Sequence, residues 1–539
     1  MFMFDLIIKD GYVVDGTGKA AWRADVGVLD ERISKIGSLN EFSAKKVIDV
    51  RGSIVCPGFV DFHSHADAEL LKEPSNKPKL MQGVTTEVIG NCGFSLAPVS
   101  EDRKHMLRKY VESLLGKTES FWNLTTMGGY LNQLGKNGTG VNVASYVGHQ
   151  ALRIAVMGFD NRRPAKKEMA KMKDLLLQSL RQGAIGLSTG LIYPPGSYAQ
   201  TEELVELCRV VAKEGGIYTT HIRSESDEMI ESIREALDVG RQAGVPVHIS
   251  HLKICGKKNW SKIDAVLNLI LKARENGLDV TCDAYPYLAG STMLMALLPP
   301  WVLEGGLEAM LGKLKKYEIR EKIKKDFARP VKGWDNIVKN AGWENIFISW
   351  VYTEQNKDME GKSLQEITTL SGKDTAELLF DLLIEEKGRV TMVVFQQCEE
   401  NMRRIMKQPM VMFGSDGIYS GGKPHPRLYG TFPRILRKYV REEKLLSLEE
   451  AICKMTYLPN QKLGFTNRGL IKENFFADIV VFNLDEIRDF ATYKDPERYP
   501  EGIEYVLVSG ETAVEKGTYT GSLPGKVLFK QANLLQLQP

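Results

Sequence analysis

Six side chains whose chemistry suits a metal ion stand at or just past the ends of strand-like apolar runs. They are His63, His65, Cys92, His221, His251 and Asp416. Imidazole, thiolate and carboxylate are the ligands that Zn²⁺ prefers in proteins. In "FHSH", His63 and His65 are two residues apart, and such positions of a strand point to the same side. The pattern therefore predicts a zinc site that begins at these two histidines.

Eight β-rich apolar runs alternate with helical segments through the middle of the chain, which is typical of a parallel α/β sheet. The predicted strands cover residues 55–62, 84–91, 141–148, 184–190, 216–221, 245–251, 278–284 and 409–415. The amphipathic segments between them cover residues 165–182, 200–214, 225–243 and 261–276. Eight such units predict a (β/α)8 barrel of the TIM type, whose functional groups lie at the C-terminal ends of the strands. The run "RVTMVVF" at 389–395 is a ninth candidate strand.

Both ends of the chain are rich in short strands and turns. We expect a turn at Asp10-Gly11, a hairpin in "ADVGVLDERISKIG", and a hairpin turn at Ser509-Gly510. These segments predict one small β-sandwich domain built from both termini, with two independent decorations as the alternative. The predicted domains are residues 1–56 and 473–539 for the small domain and 57–472 for the barrel. Residues 291–400 are expected to form a helical insertion that acts as a lid, through Trp301 and nearby methionines and leucines, or simply packs as a subdomain.

The composition excludes several classes of protein. The 539 residues include 71 basic and 68 acidic ones, a net charge of +3, so no nucleic-acid partner is expected. No apolar run reaches the ~18 residues of a membrane span, and the N-terminus lacks the basic region of a signal peptide. Seven cysteines without framework spacing indicate a reducing cytoplasm. No repeat or coiled coil indicates an oligomeric state.

Several longer motifs resemble those of the amidohydrolase superfamily, and within it the N-acyl-D-amino-acid deacylases, or D-aminoacylases. They read "PGFVDFHSHAD", "GVTTEVIGNCGFS", "GLSTGLIYPPG", "TTHIRSE", "HISHLK", "GSDG", "KPHPRLYGTFPR" and "ADIVVFN". Many members of the superfamily bridge two metals with a modified lysine on the fourth strand, whereas here that strand reads "GLSTG". Cys92 in "GNCGFS" occupies the position of the cysteine that deacylases use instead.

The resemblance implies one tightly bound zinc held by Cys92, His221 and His251. It implies a second, weaker or empty metal position at His63, His65 and Asp416. Three protein ligands leave a zinc ion an open position for water, as in catalytic sites. The predicted reaction is hydrolysis of the amide bond of an N-acyl-D-amino acid, in which Asp416 carries the proton from water to the leaving amine. Alternatively, Asp416 acts only as a metal ligand.

An N-acyl amino acid carries a free carboxylate, which needs a cationic partner. Arg427, on the loop after Asp416, and Lys253, two residues past His251, are the candidates. Tyr193 and Tyr285 follow strands four and seven and are expected to add hydroxyl contacts. The remaining histidines have lesser expected roles. They are His149 and His425, as residues of the site wall, and His248, as a structural residue deeper in the barrel.

Three other functions remain open from the sequence. A cyclic-amide hydrolase of the hydantoinase or dihydroorotase kind shares the fold and the metal chemistry, but the missing lysine and "GNCGFS" argue against it. A zinc-dependent D-dipeptidase is a closer alternative. A non-catalytic scaffold with the same fold would be expected to have lost ligands, whereas all six are present here.

Overall fold

The two ends of the chain form one small β domain. The structure, a computed structural model, describes residues 3–116, 123–329 and 331–530. Nine strands form a continuous sheet: β1 (Met3–Val13), β2 (Trp22–Leu29), β3 (Arg32–Gly37), β4 (Ser43–Asp49), β5 (Ile54–Pro57), β18 (Ile479–Phe482), β19 (Ile503–Val508), β20 (Glu511–Glu515) and β21 (Thr518–Tyr519). Strand β18 pairs with β5, and apolar side chains from both ends share one core. Strands from both termini therefore share one sheet and one apolar core.

Two of the three predicted turns in this domain are confirmed. The Ser509-Gly510 turn joins β19 to β20 with φ values of 48° and 86°, as a two-residue hairpin turn of type I′ requires. The hairpin from β2 to β3 is also present. The predicted turn at Asp10-Gly11 is wrong, because β1 continues through these residues with a shift in register. Asp10 adopts a φ of 64° there, and its N–H donates to Asp25 Oδ1 at 2.8 Å, which stabilises a β-bulge instead.

Eight parallel strands form the centre of the molecule, and each lies within a predicted range. They are β6 (Phe59–Asp61), β7 (Val84–Ile89), β8 (Asn142–Ser145) with its continuation β9 (Val147–Gly148), β10 (Gly186–Gly190), β11 (Ile217–His221), β12 (Val247–Ile249), β13 (Val280–Ala284) and β17 (Val411–Phe413). Backbone hydrogen bonds link the last strand to the first, since Asp416 N–H donates to His63 O at 2.7 Å and His65 N–H to Gly417 O at 3.0 Å. The strands thus close into the predicted (β/α)8 barrel.

Helices connect the strands and cover the barrel. The α-helices are α1 (Glu69–Lys72), α2 (Lys77–Leu80), α3 (Lys104–Leu115), α4 (Met127–Asn137), α5 (His149–Met157), α6 (Lys166–Arg181), α7 (Thr201–Lys213), α8 (Met229–Ala243), α9 (Ile263–Glu275), α10 (Leu307–Leu314), α11 (Tyr317–Phe327), α12 (Ile337–Ala341), α13 (Leu364–Ser371), α14 (Thr375–Glu385), α15 (Glu399–Met406), α16 (Arg427–Arg434), α17 (Leu448–Met455) and α18 (Tyr457–Leu463). Helix α8 begins four residues later than the predicted segment 225–243, because Glu225 is held in a loop by contacts described below. Within the described residues, no helix is both long and apolar enough to cross a membrane.

The insertion between the last two barrel strands contains a sheet as well as helices. Its antiparallel strands are β14 (Ala289–Met293), β15 (Ile346–Val351) and β16 (Val390–Phe395). The insertion over 291–400 was expected to be mostly helical, and it contains helices α10 to α14, but the sheet was not expected. Runs such as "IFISWV" and "VTMVVF" are rich in β-branched and aromatic residues, which fit a half-buried sheet. The ninth candidate strand belongs to this sheet and not to the barrel.

The C-terminal segment crosses the base of the barrel, at the N-terminal ends of the strands. Val143 N–H in β8 donates to Lys526 O at 2.8 Å, and Leu528 N–H donates back to Val143 O at 2.8 Å. The Leu528 side chain packs in the same apolar cluster as Phe62 and Met412 of the barrel interior. Residues that the sequence assigned to the small domain thus also close the bottom of the barrel.

Candidate metal centre

The six predicted ligand side chains converge at the C-terminal end of the barrel. All are buried: His63, His65, Cys92, His221, His251 and Asp416. Their ligand atoms form three overlapping clusters, in each of which the atoms lie within 4.8 Å of one another. These clusters are His63–His65–Cys92, Cys92–His221–His251 and His63–His251–Asp416. The structure therefore brings all six residues into one site.

The Cys92 thiol lies at the centre of this site. Its Sγ is 3.4 Å from His251 Nε2 and 3.8 Å from His221 Nδ1. With bonds of about 2.3 Å to sulfur and 2.0 Å to nitrogen, two ligands of a tetrahedral zinc lie about 3.5 Å apart, so the three atoms fit such an ion. Cys92 Sγ is also 3.3 Å from His63 Nε2, which places it beside the second group of ligands. Burial opposes ionisation of the thiol, but His63 and His251 outweigh it and lower the pKa of Cys92 well below its ordinary value.

Asp416 faces both the histidines of the first strand and an arginine. Its Oδ1 lies 3.2 Å from His65 Nε2 and 3.5 Å from His63 Nε2, and its Oδ2 lies 2.9 Å from Arg427 Nη2. Burial disfavours the ionised carboxyl, but Arg427 and His63 outweigh this and hold the pKa of Asp416 well below its usual range. An ionised carboxylate at this position can accept a proton or coordinate a metal.

Three of the site residues have a left-handed backbone, which is uncommon outside glycine. The φ angles are 52° for Cys92, 36° for His251 and 53° for Asp416. Each of these residues follows the end of a barrel strand, where the chain turns away from the sheet. Backbone strain of this kind is concentrated at functional sites, where the surrounding structure holds it.

Asp283, near the end of strand β13, contacts two of the candidate ligand histidines and was missed by sequence reasoning. Its Oδ2 lies 3.1 Å from His63 Nδ1 and 3.3 Å from His248 Nε2, while Oδ1 accepts the His251 backbone N–H at 2.8 Å. A carboxylate on the far nitrogen of a metal-binding histidine fixes its tautomer and its orientation. The signal was present in "TCDAY", where an aspartate stands inside an otherwise apolar strand.

Glu225 has the same function on the opposite side and was also missed. Its Oε1 lies 3.1 Å from His251 Nδ1 and 2.5 Å from Lys253 Nζ. Burial disfavours ionisation of Glu225, but Lys253 and the histidines His221 and His251 outweigh it and lower its pKa. The residue lies in the quoted motif "TTHIRSE", but its partner across the barrel is not visible in the sequence.

A buried lysine joins the first and last strands beneath the site. Lys79 Nζ donates to Asp61 Oδ2 at 2.8 Å and to Ser415 Oγ at 2.5 Å, and all three residues are fully buried. Asp61 Oδ1 in turn accepts the Ser415 backbone N–H at 2.7 Å. These bonds fix the strand ends that carry His63 and Asp416. Nothing in the sequence around Lys79 indicated this role.

The four predicted substrate contacts lie around the metal centre, at different depths. Lys253, Tyr193 and Tyr285 line the cavity in front of the metal ligands, whereas Arg427 is fully buried behind Asp416. The Tyr193 hydroxyl is paired with Thr292 Oγ1 at 2.8 Å. The Arg427 guanidinium lies 4.7 Å from the centre of the Tyr285 ring, and its Nε and Nη1 have no hydrogen-bond partner among the described residues.

The three remaining predicted histidines lie in different surroundings. His425 Nδ1 accepts the Arg427 backbone N–H at 3.0 Å and its Nε2 lies 3.0 Å from Ala289 O, so it connects the start of helix α16 to strand β14. His149 does not line the cavity, since its Nε2 pairs with Glu203 at 2.8 Å between helices. His248 contacts Thr281 and Asp283 inside the barrel and not the metal ligands, in keeping with a structural role.

The cavity above the metal centre is lined partly by the insertion. Ile337, Met392, Val394 and Gln396 contribute to its wall. Trp301, which was expected either to belong to a lid or to pack within a subdomain, does not line the cavity, and its Nε1 donates to Asp326 Oδ2 at 2.9 Å. The insertion therefore contributes to the cavity wall through its sheet and helix α12, and not through the segment around Trp301.

The chain is similar to known proteins over nearly its whole length. The sequence profile of the Amidohydrolase family matches residues 46–514. D-aminoacylase from Alcaligenes xylosoxydans xylosoxydans is 36% identical over 529 residues, covering 98% of both chains. N-acyl-D-glutamate deacylase from the same organism is 36% identical over 530 residues, covering 98% of this chain and 97% of that protein.

Solved structures of deacylases are also similar to this chain over nearly its whole length. A D-aminoacylase described with a binuclear metal centre superposes with a TM-score of 0.83 at 36% identity, covering 98% of this chain and all of the other. The N-acyl-D-glutamate deacylase of Bordetella bronchiseptica, solved with zinc and a phosphonate mimic of the tetrahedral intermediate, has a TM-score of 0.83 at 33% identity, with the same coverage. The L-hydantoinase of Arthrobacter aurescens has a TM-score of 0.57 at 16% identity, so it shares the fold alone.

Proposed function

Since the chain belongs to the amidohydrolase family, we propose that it hydrolyses the amide bond of N-acyl-D-amino acids and releases a carboxylate and a free D-amino acid. The observation that carries this proposal is the cysteine-centred metal site, with Cys92 within 3.8 Å of nitrogen atoms of three histidines. It occurs in a chain that is 36% identical to D-aminoacylase from end to end. The L-hydantoinase, at 16% identity, shows only the fold.

The six ligands would hold zinc in two unequal positions. We place the tight ion at Cys92, His221 and His251, because their spacing fits a tetrahedral ion, and a weaker or empty position at His63, His65 and Asp416. A zinc ion bound at the tight position would lower the pKa of a water molecule and polarise the scissile carbonyl. Glu225 and Asp283 would keep the ligand histidines in the correct tautomer and orientation.

Asp416 is the proton carrier in this proposal. Its carboxylate faces the cavity next to His65 and stays ionised beside Arg427. It would take a proton from the attacking water and pass it to the leaving nitrogen, because an amide nitrogen must be protonated before it departs. Replacement of Asp416 by asparagine should abolish turnover while Cys92, His221 and His251 retain their zinc, and retained turnover would refute this role.

The carboxylate of the substrate would be bound by Arg427 and Lys253. Lys253 lines the cavity, and Arg427, buried behind Asp416, has two nitrogens without partners among the described residues. Tyr193 and Tyr285, which line the cavity, would add hydroxyl groups.

The seven cysteines are free, which supports a reducing cytoplasm as the compartment.

A hydrolysis screen tests the proposed function directly. N-acetyl and N-formyl amino acids of both enantiomers would be compared with D-dipeptides and hydantoin on the zinc-loaded protein. We expect cleavage of the N-acyl-D-amino acids. Exclusive cleavage of L-substrates or of the ring amide would refute the proposal, and faster cleavage of D-dipeptides would favour a D-dipeptidase.

A further inference from the structure

A segment of the small domain leaves its sheet and lies on helix α16. We call this segment, residues 483–502 between β18 and β19, the strap. Its Asp489 side chain is 2% exposed and pairs with Arg434 Nη1 at 3.3 Å and with Arg437 Nε at 2.5 Å. A Cβ atom added at Gly430 of the helix would lie 3.5 Å from the Cβ of Asp489, so the two segments are in close contact. The strap is therefore fixed to the helix by charge pairs and by close packing.

The strap also contacts a buried histidine, His425. The Tyr493 ring of the strap lies 5.1 Å from the ring of His425 and 4.8 Å from that of Phe395 in β16. Its hydroxyl oxygen lies 3.4 Å from His425 Nε2. The Tyr287 ring packs against His425 as well, nearly perpendicular to it and at 5.1 Å. These aromatic contacts hold the His425 ring in one orientation.

The two ring nitrogens of His425 bond to two different segments. Nδ1 accepts the backbone N–H of Arg427 at 3.0 Å, so the ring proton lies on Nε2, which donates to Ala289 O at 3.0 Å. Burial, and after it the charge of Arg427, lower the pKa of His425 well below its ordinary value, so the ring stays neutral and keeps this pattern. His425 therefore joins the first residue of α16 to the first residue of β14.

The Arg427 side chain meets the same strand. Its Nη2 donates to Ser291 O in β14 at 3.2 Å and lies 2.9 Å from Asp416 Oδ2, while Nε and Nη1 have no partner among the described residues. The start of α16 thus contacts β14 at two points, one through His425 and one through the guanidinium. If the bond from His425 is lost, the start of the helix can move relative to β14, and a displacement of ~1 Å is enough to misplace a group that binds substrate.

We propose that His425 is a positioning residue, which fixes Arg427 for the carboxylate of the substrate, and that the strap keeps His425 in place through Tyr493. The inference rests on the proposed function, in which Arg427 binds this carboxylate. Among the described residues, none that lines the cavity belongs to the small domain. The strap would therefore connect this domain to the site indirectly, through His425.

The first test separates the two bonds of His425 by substitution. His425→Asn keeps an acceptor in the place of Nδ1, His425→Gln keeps a donor in the place of Nε2, and His425→Leu keeps neither. KM and kcat are measured on the zinc-loaded protein with the N-acyl-D-amino acid that the hydrolysis screen finds best. We expect His425→Leu to raise KM by about 10-fold or more and to change kcat by less than about 3-fold, because it misplaces a group that binds the ground state and the transition state alike. His425→Asn should restore most of the affinity, and His425→Gln should not.

Zinc content and circular dichroism show whether each variant has folded. A wild-type KM in folded His425→Leu would overturn the inference, and so would a fall in kcat without a change in KM. Rescue by glutamine instead of asparagine would also overturn it, because the bond to β14 would then matter and not the bond to Arg427. If the wild type hydrolyses no N-acyl-D-amino acid, the proposed function fails and the inference fails with it.

The second test removes the contact from the strap and decides the matter if His425→Leu does not fold. Tyr493→Ala should raise KM by about 3-fold or more, while Tyr493→Phe, which keeps the ring, should stay near the wild type. Tyr499→Ala is the matched control, because Tyr499 belongs to the strap but is 42% exposed and its ring packs on Tyr429 instead. The same increase in KM for both alanine variants would show a general effect of the strap, and an unchanged KM in folded Tyr493→Ala would show that the strap does not hold His425. Either result would overturn the inference.

Discussion

The Cys92 thiol is the point at which the possible metal positions meet. It belongs to two of the three ligand clusters, and its nearest neighbours are nitrogen atoms of His63 and His251. At the scale of single residues, the sequence allowed the six candidate ligands to be selected. Metal ligands need nitrogen, sulfur or oxygen donor atoms, and in a barrel they stand at the C-terminal ends of the strands. Cysteine is the rarest of these types here, with seven residues in the chain.

Replacement of Cys92 by alanine should remove the tight metal. We expect zinc content to fall well below one ion per chain and kcat/KM to fall by at least about 100-fold, because the remaining histidines lack the thiolate charge. Zinc is measured by atomic absorption after dialysis. Cys453 is a partly buried cysteine in helix α17, and Cys453→Ala serves as the control that should retain both properties. Full zinc occupancy in the Cys92 variant would contradict this assignment.

Asp283 offers a second test at the same scale. Asp283→Asn should weaken zinc binding by about 10–100-fold, since the amide cannot support His63 and the His251 backbone as the carboxylate does. The affinity is measured by competition with a chelator of known zinc affinity. Asp238→Asn, at an exposed ion pair of helix α8, is the matched control. Equal zinc affinity in both variants would show that Asp283 does not support the ligands.

The residues that the sequence did not reveal share one property. Asp283, Glu225 and Lys79 act through partners that are 18 to 336 residues away in the chain. Such pairs depend on which strands become neighbours, and a single sequence does not contain that information. The six candidate ligands could be selected from the sequence because their own type and position indicate their chemistry. Their supporting residues could be found only after the barrel was known.

At the scale of elements, the barrel strands were predicted and the insertion was only partly predicted. Strands buried on both faces read as continuous apolar runs, and all eight of the predicted ranges contain such a strand. In the barrel, strands alternate regularly with helices, and the insertion lacks this alternation. Its β15 and β16 are short, pair antiparallel and are separated by α13 and α14, so their partnership depends on tertiary packing. The sequence predicted a strand at 389–395, but it did not predict the three-stranded sheet to which this strand belongs.

One contact between the insertion and the barrel gives a prediction that depends on pH. Asp335, in the loop before helix α12, accepts the Glu225 backbone N–H at 2.8 Å and also bonds to the Ser226 hydroxyl. Burial raises the pKa of Asp335 to about 6, compared with about 3.9 in an unfolded chain. Between these values the folded protein binds more protons than the unfolded chain, so the contribution of Asp335 to stability is largest below pH ~4 and is lost as the pH rises to about 6.

Asp335→Asn should remove this dependence. The ionised carboxylate costs about 3 kcal/mol above pH ~6, from a shift of about two pKa units. The stability of the variant relative to the wild type should therefore rise between pH 4.5 and pH 7. Urea unfolding at both pH values measures this difference, and all other titrating groups are common to the two proteins. Asp358→Asn, on the surface of the insertion, should show no such change. A difference that is constant with pH would contradict the role of Asp335.

At the scale of the whole molecule, both ends of the chain return to the barrel, on the side away from the metal centre. The N-terminal strands pair with β18 in the small domain, and the C-terminal segment then continues beneath the barrel. A sequence reading could recognise the strand-rich ends from their turns, but not the closure of the base. Residues 524–530 carry few features of a strand, and their position depends on bonds to residues 139–143, far away in sequence.

Leu528 tests whether this closure supports stability without taking part in catalysis. Leu528 is 9% exposed and belongs to the same buried apolar cluster as Phe62 and Met412, whereas the candidate metal ligands lie at the C-terminal ends of the strands. Leu528→Ala should destabilise the protein by about 2–4 kcal/mol, because it leaves a cavity in a packed interior. Thermal unfolding should show a lower Tm, while kcat/KM at 25 °C and zinc content stay at their wild-type values. Leu523→Ala, at an exposed position of the same segment, should leave Tm unchanged. A loss of kcat/KM in Leu528→Ala without a change in Tm would instead connect the base of the barrel to the active site.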